Sequence, residues 1–254
     1  MILFHRATPF AILLACAAGF FAVIRLGLNP LVGFMATLMV VSLLFARLCE
    51  WRLRTFQFWY LVGTPTMFLS ACFGFLLLLE VNWQRAALAA VASLLTFVFA
   101  ELTFAYMHAP AKYQAYSIEH LSLALNVLAM YFLSALFFGT RMLLQLPLWG
   151  LCAFFALGVL FMVYGTLWVS KMAPRPAIAY ALAGTVLATE LFAVITYLPT
   201  GFYTNAALLA LFLYLFLGLT RAHVASRLTR PIVNRYAIVG SAMFLMIIGT
   251  SRWT

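Results

Sequence analysis

Aspartate is absent from this 254-residue chain, and its five acidic residues are all glutamate. Membrane aspartyl proteases, and enzymes that hold Mg²⁺ through aspartate-rich motifs, would lack their required groups here. Glycine-rich nucleotide loops of the G-x-x-x-x-G-K-[ST] or G-x-G-x-x-G type are missing too, as are an H-E-x-x-H helix and a G-x-S-x-G elbow. The four cysteines, Cys16, Cys49, Cys72 and Cys152, form no C-x-x-C pair, so neither a metal site nor a disulfide framework is expected. Histidines are few and scattered, at His5, His108, His120 and His223. No metal and no cofactor is expected on this pattern.

Charge is scarce as well: 8% of the residues are charged against 67% hydrophobic, and mean hydropathy is +1.10. A soluble domain does not have this composition. Apolar stretches long enough to cross a bilayer core of about 30 Å fill the chain almost end to end. The expected fold is all-α, a single-domain polytopic helical transmembrane bundle of about nine spans. They fall at about 9–25, 30–48, 57–80, 86–107, 117–138, 148–169, 177–198, 204–221 and 234–250. Trp51, Trp83, Trp149 and Trp253 sit at span ends, where indole suits the interface.

The basic residues test this division, because Lys and Arg concentrate on the cytoplasmic side. With the N-terminus inside, eleven of fifteen (Arg6, Arg47, Arg52, Arg54, Lys112, Lys171, Arg175, Arg221, Arg227, Arg230 and Arg235) are cytoplasmic. Four (Arg25, Arg85, Arg141 and Arg252) are not. An N-in, C-out protein of a bacterial inner (cytoplasmic) membrane is expected. The net charge of +10 is then a topology signal that needs no nucleic acid. Its counter-charge is anionic lipid at the cytoplasmic face, with Arg221, Arg227, Arg230 and Arg235 as headgroup candidates. The start, MILFHRATPFAILLACAAGFF, has signal-peptide features, and Leu13-Leu14-Ala15-Cys16 resembles a lipoprotein box. Its apolar run continues to Ile24, so the span is expected to be retained.

Within the spans, polar residues stand out. In LVGTPTMF, Pro65 lies inside the third span and predicts a kink, with threonine hydroxyls available to the freed carbonyls. Glu50, between Arg47 and Arg54, reads as a helix-end ion pair. Glu80 falls where the third span leaves the membrane.

Glu101 and Glu190 lie inside the hydrocarbon slab, where a carboxylate costs roughly 2.5–3.5 kcal/mol on insertion scales. Helical spacing groups Glu190 with Ala179, Ala183, Val186, Ala193 and Tyr197, and Glu101 with Ala87, Ala90, Leu94, Ala105 and His108. Small residues favour close packing, so both faces are expected to point into the bundle. Tyr116, Glu119, Ser122 and Asn126 add a polar stripe to the fifth span. Glu101-Leu102 precedes Pro110 by the spacing at which Glu190-Leu191 precedes Pro199, as an inverted repeat or chance would leave it.

Two functions follow from different treatments of these groups. A non-catalytic subunit or scaffold of a membrane complex, with membrane-protein partners or a second copy of itself, would use them as buried glue. A small proton-coupled transporter or channel would move protons through Glu101 and Glu190, with His108 or Tyr197 as relays. Enzyme activity is the less favoured reading; its form would be a lipid-modifying site at Glu119, His120 and the basic loop Arg221–Arg235.

The segment ELFAVITYLPTGFYTNAALLALFLYLFLGL, residues 190–219, resembles uncharacterised bacterial polytopic membrane proteins grouped as a domain of unknown function. The likeness rests on Glu190, Leu198-Pro199 and Tyr203 through Asn205. It implies no activity, cofactor or catalytic residue, only that the Glu-to-Pro segment is a defining feature.

Overall fold

A computed structural model describes residues 6–114, 116–226 and 228–251. Arg227, with His5, Arg252 and Trp253, lies outside the described residues. Among the described residues the chain is all-α. Nine helices follow one another: α1 Thr8–Ile24, α2 Pro30–Leu48, α3 Phe56–Leu76, α4 Asn82–His108, α5 Ser117–Leu144, α6 Leu148–Val169, α7 Pro174–Ile195, α8 Phe202–Val224 and α9 Arg230–Thr250. A 3₁₀ turn, Pro110–Lys112, joins α4 to α5.

Eight of these, α2 to α9, are long and apolar enough to cross a membrane. The chain is therefore a multi-pass integral membrane protein. In hydrocarbon an extended segment would strand its amides, so each apolar run closes its own hydrogen bonds as a helix. Proline marks the starts: α1, α2, α7 and α9 carry it at their first or second position, where the missing donor costs nothing. Glycine marks few of the ends: among the described residues Gly27, past α1, is the only left-handed glycine, at φ of 62°. Glu50, Lys171 and Ser226 take the left-handed conformation just past α2, α6 and α8, at φ of 55°, 60° and 53°. Met172 N–H then closes on the Leu167 carbonyl at 3.3 Å and Lys171 N–H on that of Trp168 at 2.9 Å, a Schellman turn built without glycine.

Contacts group the chain into two compact units, Met1–Leu125 and Asn126–Thr254, dividing within α5. In the first unit α1 packs on α2 and α4, and α3 closes the ring against α2 and α4. Phe20 of α1 and Phe73 of α3 stack in its core with centroids 4.1 Å apart. Backbones approach closely at the α1–α2 contact. There a Cβ on Gly19 would meet three atoms of the Thr37 side chain, the last at 2.8 Å. Helix α3 continues through Pro65. Thr66 Oγ1 donates to the Val62 carbonyl at 2.7 Å and meets Ser42 Oγ of α2 at 3.1 Å, which ties the proline turn to its neighbour.

In the second unit α6 and α7 form the tightest pair, α8 packs on both, and α9 lies along α8. The packed face of α7 is Ala177, Ala181, Gly184, Thr185, Ala188 and Phe192. Phe192 stacks on Phe155 of α6 at 4.6 Å and meets Phe138 of α5 at 4.7 Å, with Phe137 closing the cluster. Helix α9 is peripheral: Gly240 is its one buried residue among those described.

Candidate functional site

The densest group of ionisable side chains lies at one end of the first unit. It gathers where α1 begins, α2 ends, α3 begins and α4 ends. Along α4, Glu101, Phe104 and His108 recur at three- and four-residue intervals and so share a face. Taking α4 as centred in the bilayer, Glu101 lies about 9 Å from the midplane and His108 about 20 Å, in the headgroup region.

Arg6, just ahead of α1, reaches that face. Its Nη1 donates to Glu101 Oε2 at 2.8 Å, and its guanidinium lies 5.3 Å from the Phe104 ring centroid. The Phe104 ring also stacks with the His108 imidazole, at 5.4 Å and 11°. His108 Nε2 is in turn 3.7 Å from Glu50 Oε1, and Glu50 Oε2 accepts from Arg52 Nη2 at 2.6 Å. Charge alternates with aromatic area along the series Arg6, Glu101, Phe104, His108, Glu50, Arg52. The two ends are open, with Arg6 and Arg52 side chains 54% and 61% exposed, while His108 is 9% exposed. Glu101 Oε1 is buried and has no hydrogen-bond partner among the described residues.

The backbone helps to present Glu50. It and Trp51 are consecutive left-handed residues, at φ of 55° and 53°, each costing about 1–2 kcal/mol without glycine. The turn is held by Trp51 N–H on the Ala46 carbonyl at 3.0 Å and by Thr55, whose hydroxyl caps α3 at Phe58 N–H. Glu50 pairs with Arg52 rather than with the helix-spaced Arg47 or Arg54, because the left-handed turn swings it away from the helical register. Beside it, burial and then the Glu50 carboxylate push the Cys49 thiol up to about 12, so Cys49 is a protonated, inert side chain at neutral pH.

The remaining candidates divide. Glu119 accepts from the Tyr113 hydroxyl at 3.3 Å, and Ser122 donates to the Glu119 carbonyl at 3.2 Å. Asn126 Nδ2 donates to Thr166 Oγ1 at 2.8 Å, linking α5 to α6 inside the second unit. The stripe is thus a set of short-range links; Tyr116 at its head is 59% exposed. His120 is exposed, as are Arg230 and Arg235, whereas Arg221 is half-buried.

Glu190 departs from expectation. Ala179, Ala183, Val186 and Glu190 are all exposed, and Tyr197 is 76% exposed. The face expected inside is the outward one. Helix α7 carries alanine on every side, so small residues could not select a face. Phe192 in the aromatic cluster does. Glu190 makes no hydrogen bond or ion pair among the described residues. The grouping around Glu101 also fails in its outer half, where Ala87, Ala90 and Leu94 are exposed. The packed side of α4 runs through Ala92, Thr96, Phe99 and Thr103 instead. Glu101 and Glu190 share a sequence echo but not a setting.

Arg6 and Phe104 are the site residues that sequence reasoning missed, and Asn205 entered it only through the family likeness. Asn205 is buried, takes a short hydrogen bond from the Thr200 hydroxyl, and donates to the Ile195 and Thr200 carbonyls at 3.4 Å, pinning the turn around Pro199. The one signal for Arg6 was its charge immediately ahead of the first apolar run. Among the described residues no group of three histidine, cysteine or glutamate side chains could hold a metal ion.

The ion pair makes a direct test. Arg6→Gln should destabilise the first unit by about 1 kcal/mol, since the ion pair it removes is partly exposed. Glu101→Gln added to it should recover part of that loss. A double-mutant cycle in detergent unfolding reads both; additive effects would show that the pair contributes nothing.

No protein-family model, curated protein or solved structure matches this chain.

Proposed function

We propose that this chain is a non-catalytic subunit or scaffold of a membrane protein complex, in a bacterial cytoplasmic membrane with its N-terminus inside. Its likeness to the uncharacterised bacterial family over residues 190–219 belongs to the same proposal. One observation carries the reading: Glu190 is exposed on α7, about 8 Å from the middle of the helix, with no partner among the described residues. A carboxylate facing lipid at that depth is costly, and intramembrane acids face protein or water. A partner helix that offers a hydroxyl, amide or cation would remove the cost, and Val186 one turn away and Ala183 two turns away leave room for it.

Purification from native membranes in mild detergent, with mass spectrometry of co-eluting proteins, tests this. A partner set at fixed stoichiometry is expected. Glu190→Gln should keep it, because the amide still hydrogen-bonds. Glu190→Leu should weaken it about fivefold, the worth of roughly 1 kcal/mol for an interhelical hydrogen bond in a membrane. A lone chain purified from native membranes without any substitution would overturn the reading.

The second reading is a small proton-coupled transporter or channel. The buried, unpartnered Oε1 of Glu101 favours it. Against it, Arg6 gives the other oxygen a fixed partner, and both Arg6 and His108 meet the apolar ring of Phe104, which can pass no proton. Proton flux into proteoliposomes that Glu190→Gln abolishes would favour transport over the scaffold.

A further inference from the structure

We propose that the groove between α8 and α9 binds one anionic phospholipid, its acyl chain lying in the groove and its phosphate at Arg230. The groove holds about 550 Å³ and is lined by Leu211 and Leu215 of α8 and by Tyr236, Ala237, Gly240, Ser241, Phe244 and Leu245 of α9. Its walls are apolar apart from the Tyr236 and Ser241 hydroxyls. On α9 the lining spans about 13 Å of helix, a fit for a chain rather than for a compact solute.

The groove has a polar end that is set by helical register. Arg230 lies two turns before Ala237 and three before Ser241, so it continues the line of the groove beyond Tyr236. Arg235 is only one residue from Tyr236 but about 100° around the helix, off the groove. Arg230 is exposed and, among the described residues, makes no side-chain hydrogen bond or ion pair. The positive end of the α9 dipole lies at the same place. The Tyr236 ring closes the floor at this end by packing over Gly218, where a Cβ would lie 2.6 Å from its hydroxyl oxygen.

Charge therefore selects the occupant. An acyl chain alone would fit any lipid, but an unpaired arginine at the mouth of the groove favours a headgroup with net negative charge over a zwitterionic one.

The test uses the purified full chain in a neutral detergent, titrated separately with phosphatidylglycerol and phosphatidylcholine of matched chains, with bound lipid counted by native mass spectrometry. One phosphatidylglycerol should be retained about fivefold more strongly than phosphatidylcholine, the factor one arginine supplies near an anionic surface. Arg230→Gln should abolish the preference, and Arg235→Gln should keep it. Ser241→Phe, which fills the groove, should release both lipids. Equal retention of the two lipids, a preference that survives Arg230→Gln, equal losses in Arg230→Gln and Arg235→Gln, or a bound protein in place of lipid would each overturn the proposal. Helical circular dichroism of each variant separates loss of binding from loss of fold; if Arg230→Gln unfolds, Arg230→Lys, which keeps the charge, must keep the preference.

Discussion

Phe192→Ala is expected to cost the second unit about 2–3 kcal/mol. Phe192 is fully buried and joins α5, α6 and α7 through stacked contacts with Phe138 and Phe155. In water such a truncation loses both transfer energy and packing. In a bilayer the separated helices also rest in apolar surroundings, so the transfer part largely vanishes. What remains is the cavity, at about 24 cal/mol per Å³ for roughly 100 Å³ of lost ring. Phe192→Leu, which refills much of that space, should cost under half as much. Denaturant titration in detergent micelles measures both. Equal costs for the two variants would mean that the aromatic stack, and not the volume, is what matters.

Gly19→Val in the first unit is expected to lose about 3 kcal/mol, at the upper end of overpacking penalties. Even alanine there would collide with three atoms of Thr37, including its Cβ, so no rotamer change relieves the clash. Thr37 is itself buried and held by its hydroxyl on the Gly33 carbonyl at 2.7 Å. Gly184→Ala is the informative comparison. Its nearest obstacle is the far edge of the Phe216 ring, which can swing aside, and its cost should be about 1 kcal/mol or less. The ranking is read by unfolding each variant under one condition, and a Gly184→Ala cost above that of Gly19→Ala would reverse it.

The helices were legible because lipid enforces a simple rule, and the rule is written in long apolar runs. The expected spans 30–48 and 148–169 coincide with Pro30–Leu48 and Leu148–Val169. Errors came at the ends. Helix α4 begins at Asn82 rather than near 86, and α5 runs on to Leu144 rather than stopping near 138, since a helix can extend through the headgroups on residues that hydropathy discounts, whereas α3 stops at Leu76 although leucines continue to 79. Orientation about each axis was less legible. Glu190 was placed inward by its alanines, yet Ala177, Ala181 and Ala188 offered an equally small face on the other side, and the decision lay with Phe192. The Arg6–Glu101 pair joins residues 95 apart in sequence, and no periodicity encodes such a pairing.

Helix α1 has 17 residues and packs along α4, which has 27. Their lengths are about 25 Å and 40 Å, one short of the hydrocarbon thickness and the other beyond it. A bilayer cannot match both at once. Where α1 crosses the bilayer, tilt of α4 absorbs part of the excess and the lipid beside α1 has to thin to meet its ends. Headgroups and water drawn inward there would reach the exposed side of Arg6, whose guanidinium meets a carboxylate seven residues inside the end of α4. Such a dimple would make the fit of the protein vary with bilayer thickness from one lipid composition to another.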